Sequence, residues 1–128
     1  MDICKRLKIK NFKGIFMRNE LKNTISKRNE CLILNLDDNL GEGTHWVSLF
    51  TKDNTSYYFD SYGFIPPNEL QVYCSKSKTT YYNTFKIQSP GEEICGHYCV
   101  YMLYRLNNGI SFSEILDELY KRNNNNSK

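Results

Sequence analysis

The 128-residue sequence has no apolar run close to the roughly 18 to 20 residues that a transmembrane helix requires. Its first six residues, Met1 to Arg6, also lack the apolar stretch of a secretory signal peptide. The five cysteines are an odd number without the pairing rhythm of a small secreted scaffold, so most of them are expected to be reduced thiols. We therefore expect a soluble, intracellular protein with no membrane partner.

The sequence also lacks a large excess of charge of one sign, because 17 lysines and arginines against 14 aspartates and glutamates give a formal net charge of only +3. The basic residues are scattered except for a run from Lys5 to Lys10, which is more typical of a solvated face than of a nucleic-acid site, although nucleic-acid binding there stays an alternative. The sequence does contain ten tyrosines, seven phenylalanines and one tryptophan, which favour a compact fold. We predict one monomeric domain over residues 1–122 and a disordered polar tail over residues 123–128.

A β-hairpin is predicted near the middle of the chain. Residues Thr44 to Thr51 alternate bulky and polar groups, and Ser56 to Asp60 follow the turn signal Asp53-Asn54. Two such strands pair in antiparallel fashion, so residues that begin the first strand and end the second lie at the same edge. His45 and Asp60 are therefore expected to lie close together.

Apolar periodicity and turn signals predict the remaining elements. They are a buried strand from Leu32 to Leu36, a helical turn capped by Asn68 and ending at Cys74, a strand from Tyr81 to Gln88, a helix from Ile94 to Leu106, and a closing helix from a Ser111–Glu114 capping box to Tyr120. The helix from Ile94 has one apolar face and follows a Pro-Gly break, so Cys95 is expected at a helix N-terminus.

Cys95 has the surroundings of a nucleophile. Backbone N–H groups and the helix dipole at a helix N-terminus favour thiolate, which is the reactive form of cysteine. Gly96 leaves the Cys95 N–H accessible as an oxyanion donor, and Gln88 precedes it by a loop short enough to bring its carboxamide to the same oxygen. The alternative is a small, inert core thiol, as most unpaired cysteines are.

His45 and Asp60 could complete a catalytic group. A neutral imidazole at the start of a strand can accept the proton of a thiol on a facing helix and return it to the leaving amine. Asp60 would accept the Nδ1 proton of His45 and fix its tautomer. The alternatives are a structural histidine and a simple Asx-type turn from Asp60 to Gly63.

A zinc site is the competing arrangement, because Cys95, His97 and Cys99 lie within five residues and His45 could supply a fourth ligand. Structural zinc sites prefer paired ligand knuckles, and this segment has one. On a helix, His97 also points about 200° away from Cys95, so Cys99 is expected in the core and His97 outside the site. We expect neither a metal nor a cofactor.

Four motifs in order resemble the adenovirus-type (adenain-like) cysteine proteases. They are Gly43–Val47 around His45, Tyr58–Gly63 around Asp60, Gln88, and Ile94–Cys99 around Cys95. The sequence is most similar to the versions carried by Polinton (Maverick) elements and related viruses, and more distantly to the ubiquitin-like-protein proteases. The resemblance extends from about residue 11 to about residue 106.

This resemblance implies an α+β, papain-like fold with a central, mostly antiparallel sheet packed against the nucleophile helix. It implies a cysteine endopeptidase with His45 as base, Asp60 as orienter, Gln88 as oxyanion donor and Cys95 as nucleophile. The implied substrate is a viral or transposon capsid precursor, cleaved in the host nucleus or cytoplasm or in the virion.

Activation by a peptide or by DNA is implied by the family alone, and this chain lacks the longer C-terminal helical region of the adenovirus enzymes. Three alternatives stay open. They are removal of ubiquitin-like modifiers, an inactive binding module of the same fold, and a small zinc-stabilised adaptor.

Overall fold

The computed structural model describes residues 6–36, 45–87 and 95–126. Within these residues, five strands form one sheet in chain order: β1 (Phe12–Met17), β2 (Glu30–Asn35), β3 (Trp46–Lys52), β4 (Thr55–Phe59) and β5 (Thr79–Tyr82). The helices are α1 (Asn68–Tyr73), α2 (Cys95–Asn107) and α3 (Phe112–Asn126), with 3₁₀ turns at Arg18–Asn23 and Cys74–Lys76. The predicted α+β class with a central sheet is confirmed.

The sheet is mixed rather than uniform. Its three central strands, β2, β3 and β4, are antiparallel, whereas β1 and β5 run parallel to their neighbours at the two edges.

The β3–β4 hairpin turns at Asp53 and Asn54, which have φ angles of 51° and 66°. Two consecutive left-handed residues match the right-handed twist of the flanking strands. The hairpin predicted from Asp53-Asn54 is therefore confirmed.

Strand β2 is buried along its whole length and supplies side chains to two cores. Successive side chains of a strand point to opposite faces, so alternate residues pack on different helices. The core on the α2 and α3 side includes Cys31, Ile33, Phe59, Cys99, Met102, Leu103 and Ile115. The core on the α1 side includes Leu21, Leu32, Leu34, Val47, Leu49, Tyr58 and Leu70. The helix that begins at Cys95 thus packs on the sheet, as expected.

Several boundaries differ from the sequence-based expectations. The strand predicted from Tyr81 to Gln88 ends at Tyr82, because a side-chain amide replaces the ladder after that point, as described below. The N-cap of α1 is Pro67, and Asn68 is the first helical residue rather than the cap. Ser111 does cap α3 by accepting the Glu114 N–H at 3.2 Å, as predicted.

The two ends of the described fold also extend beyond expectation. Strand β1 was not predicted, since a bulge between Phe12 and Gly14 breaks the alternation that marks a strand. Helix α3 continues past Tyr120 to Asn126, into the segment for which a disordered tail is expected. None of the helices in the described part of the chain has the length and apolar character needed to cross a membrane.

Candidate active site

The hairpin brings His45 and Asp60 together. His45 directly precedes β3 and Asp60 directly follows β4, and His45 Nε2 lies 2.7 Å from Asp60 Oδ1. The Asp60 side chain is fully buried, whereas 12% of the His45 side chain is exposed. The structure therefore forms an imidazole–carboxylate pair with one side open to solvent, at the sheet edge where the sequence predicts it.

The expectation that His45 Nδ1 contacts Asp60 is wrong, because the contact is made by Nε2. Extending the β3–β4 register by one residue puts Asp60 opposite Val47, so His45 and Asp60 are diagonal neighbours. Diagonal positions on paired strands lie about 7 to 8 Å apart, and the outer ring nitrogen is the one that reaches that far. His45 Nδ1 is buried and has no hydrogen-bond partner among the described residues.

Two contacts hold the His45 ring and backbone in place. The Tyr62 ring stacks on the imidazole with centroids 4.3 Å apart and planes 20° apart. The His45 carbonyl accepts the Leu36 N–H at 2.9 Å, which ties the start of β3 to the end of β2. Tyr62 belongs to the motif around Asp60, but its position in the sequence did not indicate this stacking role.

Asp60 is held by the turn that follows it. Its Oδ1 accepts the Tyr62 N–H at 2.8 Å, and its carbonyl accepts the Gly63 N–H at 2.9 Å. These bonds form the Asx-type turn that was the alternative interpretation of Asp60. The turn and the contact with His45 use the same carboxylate oxygen, so the turn fixes the carboxylate that faces the imidazole. Asp60 Oδ2 is buried without a partner in the described parts of the chain.

Asn83 contacts Asp60, and sequence reasoning missed this contact. It is 2% exposed, and its amide pairs with the backbone N–H and carbonyl of Asp60. A few residues later, the Ile87 N–H donates to the Ser61 carbonyl at 2.7 Å. An asparagine after a strand is commonly a turn residue, so its type and position give no signal for this contact.

Cys95 is the first residue of α2, the position that the apolar pattern predicts. Gln88 and the Cys95 side chain lie outside the described residues. His97 is exposed and Cys99 is fully buried in the core, as their spacing on the helix predicts. Within the described ranges, no group of three or more histidine, cysteine, aspartate or glutamate residues is arranged to hold a metal ion.

Three of the other cysteines, Cys31, Cys74 and Cys99, are buried. Burial raises the pKa of the Cys74 thiol to about 11, although a hydrogen bond with Ser56 opposes the increase. A thiol with this pKa is protonated and a poor nucleophile at neutral pH. Buried thiols of this kind contrast with a cysteine at a helix N-terminus.

Solved structures with the same fold include the ASFV pS273R protease. A selenomethionine form of that protease matches with a TM-score of 0.69 and 16% identity, over 91% of this chain and 61% of that chain. A second pS273R structure matches with a TM-score of 0.59 and 21% identity, over 73% of this chain and 41% of that chain. The SUMO protease Ulp1, with its catalytic cysteine oxidised to a sulfinic acid, gives 0.45 and 17%, over 80% of this chain and 54% of that chain.

The two pS273R matches show that this chain has the α+β fold of that protease. This chain spans less than two thirds of the length of the pS273R chain. No protein-family model matches the sequence, and no curated protein does.

Proposed function

We propose that the chain is a cysteine endopeptidase in which Cys95 is the nucleophile, His45 the base, Asp60 the orienter of His45, and Gln88 an oxyanion donor. The observation that carries the proposal is the buried His45–Asp60 pair at 2.7 Å, whose second imidazole nitrogen, Nδ1, has no hydrogen-bond partner among the described residues. Two further observations support it. The fold is shared with a protease, and Cys95 begins the helix that packs on the sheet.

The proposed reaction follows from which imidazole nitrogen of His45 contacts Asp60 and which one has no partner. Nε2–H of His45 donates to Asp60, so Nδ1 carries the lone pair and accepts the Cys95 proton. The thiolate adds to the scissile carbonyl, and the imidazolium then protonates the leaving amine as the tetrahedral intermediate collapses to a thioester. Water, deprotonated by His45 Nδ1, hydrolyses the thioester and restores the thiol. The buried Asp60 carboxylate stabilises the imidazolium in both halves of the reaction.

The oxyanion would be held by the Cys95 N–H and the Gln88 carboxamide. Donors aimed at the developing negative charge usually make the largest single contribution to acyl transfer. The segment that precedes Gln88 supports its role, because Ile87 is buried and bonded to Ser61, directly after Asp60. The described part of that segment therefore lies beside the His45–Asp60 pair.

The proposed substrate is a capsid precursor protein of a virus or of a Polinton-type element, cleaved within an extended segment. The order of the motifs around His45, Asp60 and Cys95 supports this assignment, because it resembles the order in the proteases of those elements. Activation by a peptide or by DNA, as in the adenovirus enzymes, belongs to the same proposal.

Limiting iodoacetamide at neutral pH, followed by peptide mapping, tests the nucleophile. We expect Cys95 to be alkylated ahead of the other thiols, because Cys31, Cys74 and Cys99 are buried and a helix N-terminus favours thiolate. Cys95→Ala should abolish cleavage of precursor peptides without unfolding the domain. Cys74→Ala, which removes a buried thiol on the opposite side of the sheet, is the matched control and should cleave normally.

Equal labelling of Cys95 and Cys74, or normal cleavage by Cys95→Ala, would refute the site. A parallel assay with ubiquitin-like conjugates and with extended Gly-Gly peptides determines the substrate class. Cleavage of the peptides alone supports precursor processing, whereas cleavage of the conjugates alone would assign the enzyme to modifier removal.

A further inference from the structure

Asn83 continues the β4–β5 pairing with its side chain after the backbone ladder has ended. The last paired residues are Tyr58 and Tyr82. One residue further, Asn83 Oδ1 accepts the Asp60 N–H at 3.1 Å, and Asn83 Nδ2 donates to the Asp60 carbonyl at 2.6 Å. A carboxamide has the same donor and acceptor as a peptide group, so it can replace one strand of the ladder.

The same amide also connects Asp60 to the segment that leads toward Gln88. Asn83 Nδ2 donates to the Phe85 carbonyl at 3.2 Å, in addition to the Asp60 carbonyl. Asn83 is 2% exposed, so a lost partner here would leave buried polar groups without water to replace it. An aspartate or a leucine has almost the same shape, but neither can make the two donor bonds.

Gly63 brings the same two segments into direct contact. A Cβ atom at Gly63 would lie 2.6 Å from the Phe85 carbonyl carbon and 2.7 Å from its oxygen, closer than real Cβ atoms approach. Its φ of 76° is also one that glycine adopts without cost. With the Ile87–Ser61 bond, the turn after Asp60 and the backbone of 85–87 form one close-packed unit, and the Asn83 amide lies buried within it.

We propose that Asn83 is a positioning residue for the active site. By fixing both backbone groups of Asp60, it sets the carboxylate against His45 Nε2, and by fixing Phe85 it sets the start of the segment that ends at Gln88. The inference rests on the proposed roles of His45, Asp60 and Gln88. Misplacement of a catalytic group by about 1 Å can cost about 100-fold in rate, which is the scale expected when this amide is lost.

The test combines kinetics with an NMR readout that does not require activity. The chain has two histidines, so ¹⁵N-histidine labelling together with His97→Gln isolates the His45 ring. The Nε2–H proton, bonded to a buried carboxylate at 2.7 Å, should give a downfield, slowly exchanging signal. In Asn83→Leu and Asn83→Asp we expect this signal to broaden or disappear and kcat to fall by about 100-fold, with KM changed little.

Ser56→Ala is the matched control for stability, because it removes a buried hydroxyl bonded to Thr51 and Ser77, away from the site. It should leave the His45 signal and kcat unchanged, even if it lowers the melting temperature as much as the Asn83 variants do. Asn83→Asp retains the Oδ1 acceptor and removes only the two donor bonds, so it is the second variant, and the comparison uses whichever Asn83 variant is folded.

The inference is overturned if the folded Asn83 variants keep the His45 signal and a wild-type kcat, or if Ser56→Ala loses both to the same extent. A failure of the proposed function gives a different result. Cleavage would then persist in Cys95→Ala, while the His45 signal would still respond to Asn83.

Discussion

Two buried carboxylates, those of Asp60 and Glu30, differ in how completely their oxygens are hydrogen bonded. Glu30 Oε1 accepts Lys13 Nζ and the Lys27 N–H, each at 3.1 Å, and Glu30 Oε2 accepts the Tyr73 hydroxyl. Asp60 Oδ1 accepts two donors, but Oδ2 has none among the described residues, and neither does the Nδ1 of its partner His45.

The difference distinguishes a structural network around Glu30 from the pair that we propose to be reactive. A buried charge is stable when its lone pairs are occupied, and around Glu30 a lysine, a hydroxyl and a backbone amide occupy them. In the His45–Asp60 pair, by contrast, His45 Nδ1 has no hydrogen-bond partner among the described residues, and 12% of the His45 side chain is exposed. The pair is the better candidate for chemistry, because an imidazole beside a buried carboxylate can accept and return a proton, whereas both oxygens of Glu30 already accept hydrogen bonds.

The largest expected effect comes from removing His45, whose Nδ1 is the proposed base. His45→Ala should lower kcat for peptide cleavage by about 10⁶-fold, nearly as much as Cys95→Ala, because the nucleophile and its base act as a unit. His97→Ala is the control, since His97 is exposed on α2 and should cleave at the wild-type rate. A wild-type rate in His45→Ala, with a loss in His97→Ala, would exchange the roles of the two histidines.

The next largest effect comes from making the same change at both carboxylates. Asp60→Asn should lower kcat by about 10⁴-fold, because the amide leaves an acceptor for Nε2–H but no negative charge to stabilise the imidazolium. Glu30→Gln should leave kcat unchanged and instead lower the free energy of unfolding by about 3 kcal/mol, because the ammonium of Lys13, whose side chain is 15% exposed, loses its buried counter-ion. Urea unfolding and cleavage kinetics on both variants measure the two effects.

If Asp60→Asn lost only stability, or if Glu30→Gln lost only activity, the distinction between the two carboxylates would be wrong. Double substitution adds a second check. Effects at independent sites add, so the double variant should show the kcat of Asp60→Asn together with the stability of Glu30→Gln.

The sequence predicted the part of this arrangement that depends on local pattern. Alternation before Asp53-Asn54 and a second segment directly after this turn signal defined the hairpin, and the hairpin placed His45 beside Asp60. The helix beginning at Cys95 followed from apolar spacing and a Pro-Gly break. These features are local because hydrophobic periodicity and turn chemistry act within a few residues.

The features that the sequence did not reveal depend on contacts between distant segments. The Asn83 contact with Asp60 needs the parallel β4–β5 pairing, which no short pattern specifies. The ring nitrogen that meets Asp60 depends on the diagonal register of the hairpin, so the expectation of Nδ1 was wrong. Strand β1 was missed because the bulge between Phe12 and Gly14 interrupts the alternation of side chains that marks a strand.

Two glycines with positive φ provide a smaller test, on stability. Gly63 has φ 76° and a Cβ would collide with Phe85, whereas Gly109 has φ 86° and a Cβ there meets nothing within 4 Å. Gly109→Ala should therefore cost about 1 kcal/mol, the backbone term alone, and leave kcat unchanged. Gly63→Ala should cost about 3 kcal/mol and also lower kcat, because it displaces the segment before Gln88. Equal costs in urea unfolding, with no change in kcat, would show that the close approach at Gly63 is unimportant.

The smallest effect extends the comparison from carboxylates to thiols. Burial raises the pKa of Cys74 from its ordinary 9.0 to about 11, and the Glu30 charge adds to the shift. The unfolded thiol ionises first as pH rises, so this contribution to stability is complete below about pH 9 and is lost on passing through about pH 11. Between pH 9 and 10 the loss should approach 1.4 kcal/mol per pH unit, and Cys74→Ala should remove that slope. Tyr73→Phe is the control: burial raises the pKa of the Tyr73 phenol from 10.0, so this phenol contributes only the smaller part of the loss below pH 10, and the variant should keep most of the slope. An unchanged slope in Cys74→Ala would mean that Cys74 ionises as readily as an exposed thiol, and the selective labelling of Cys95 would then lose part of its structural basis.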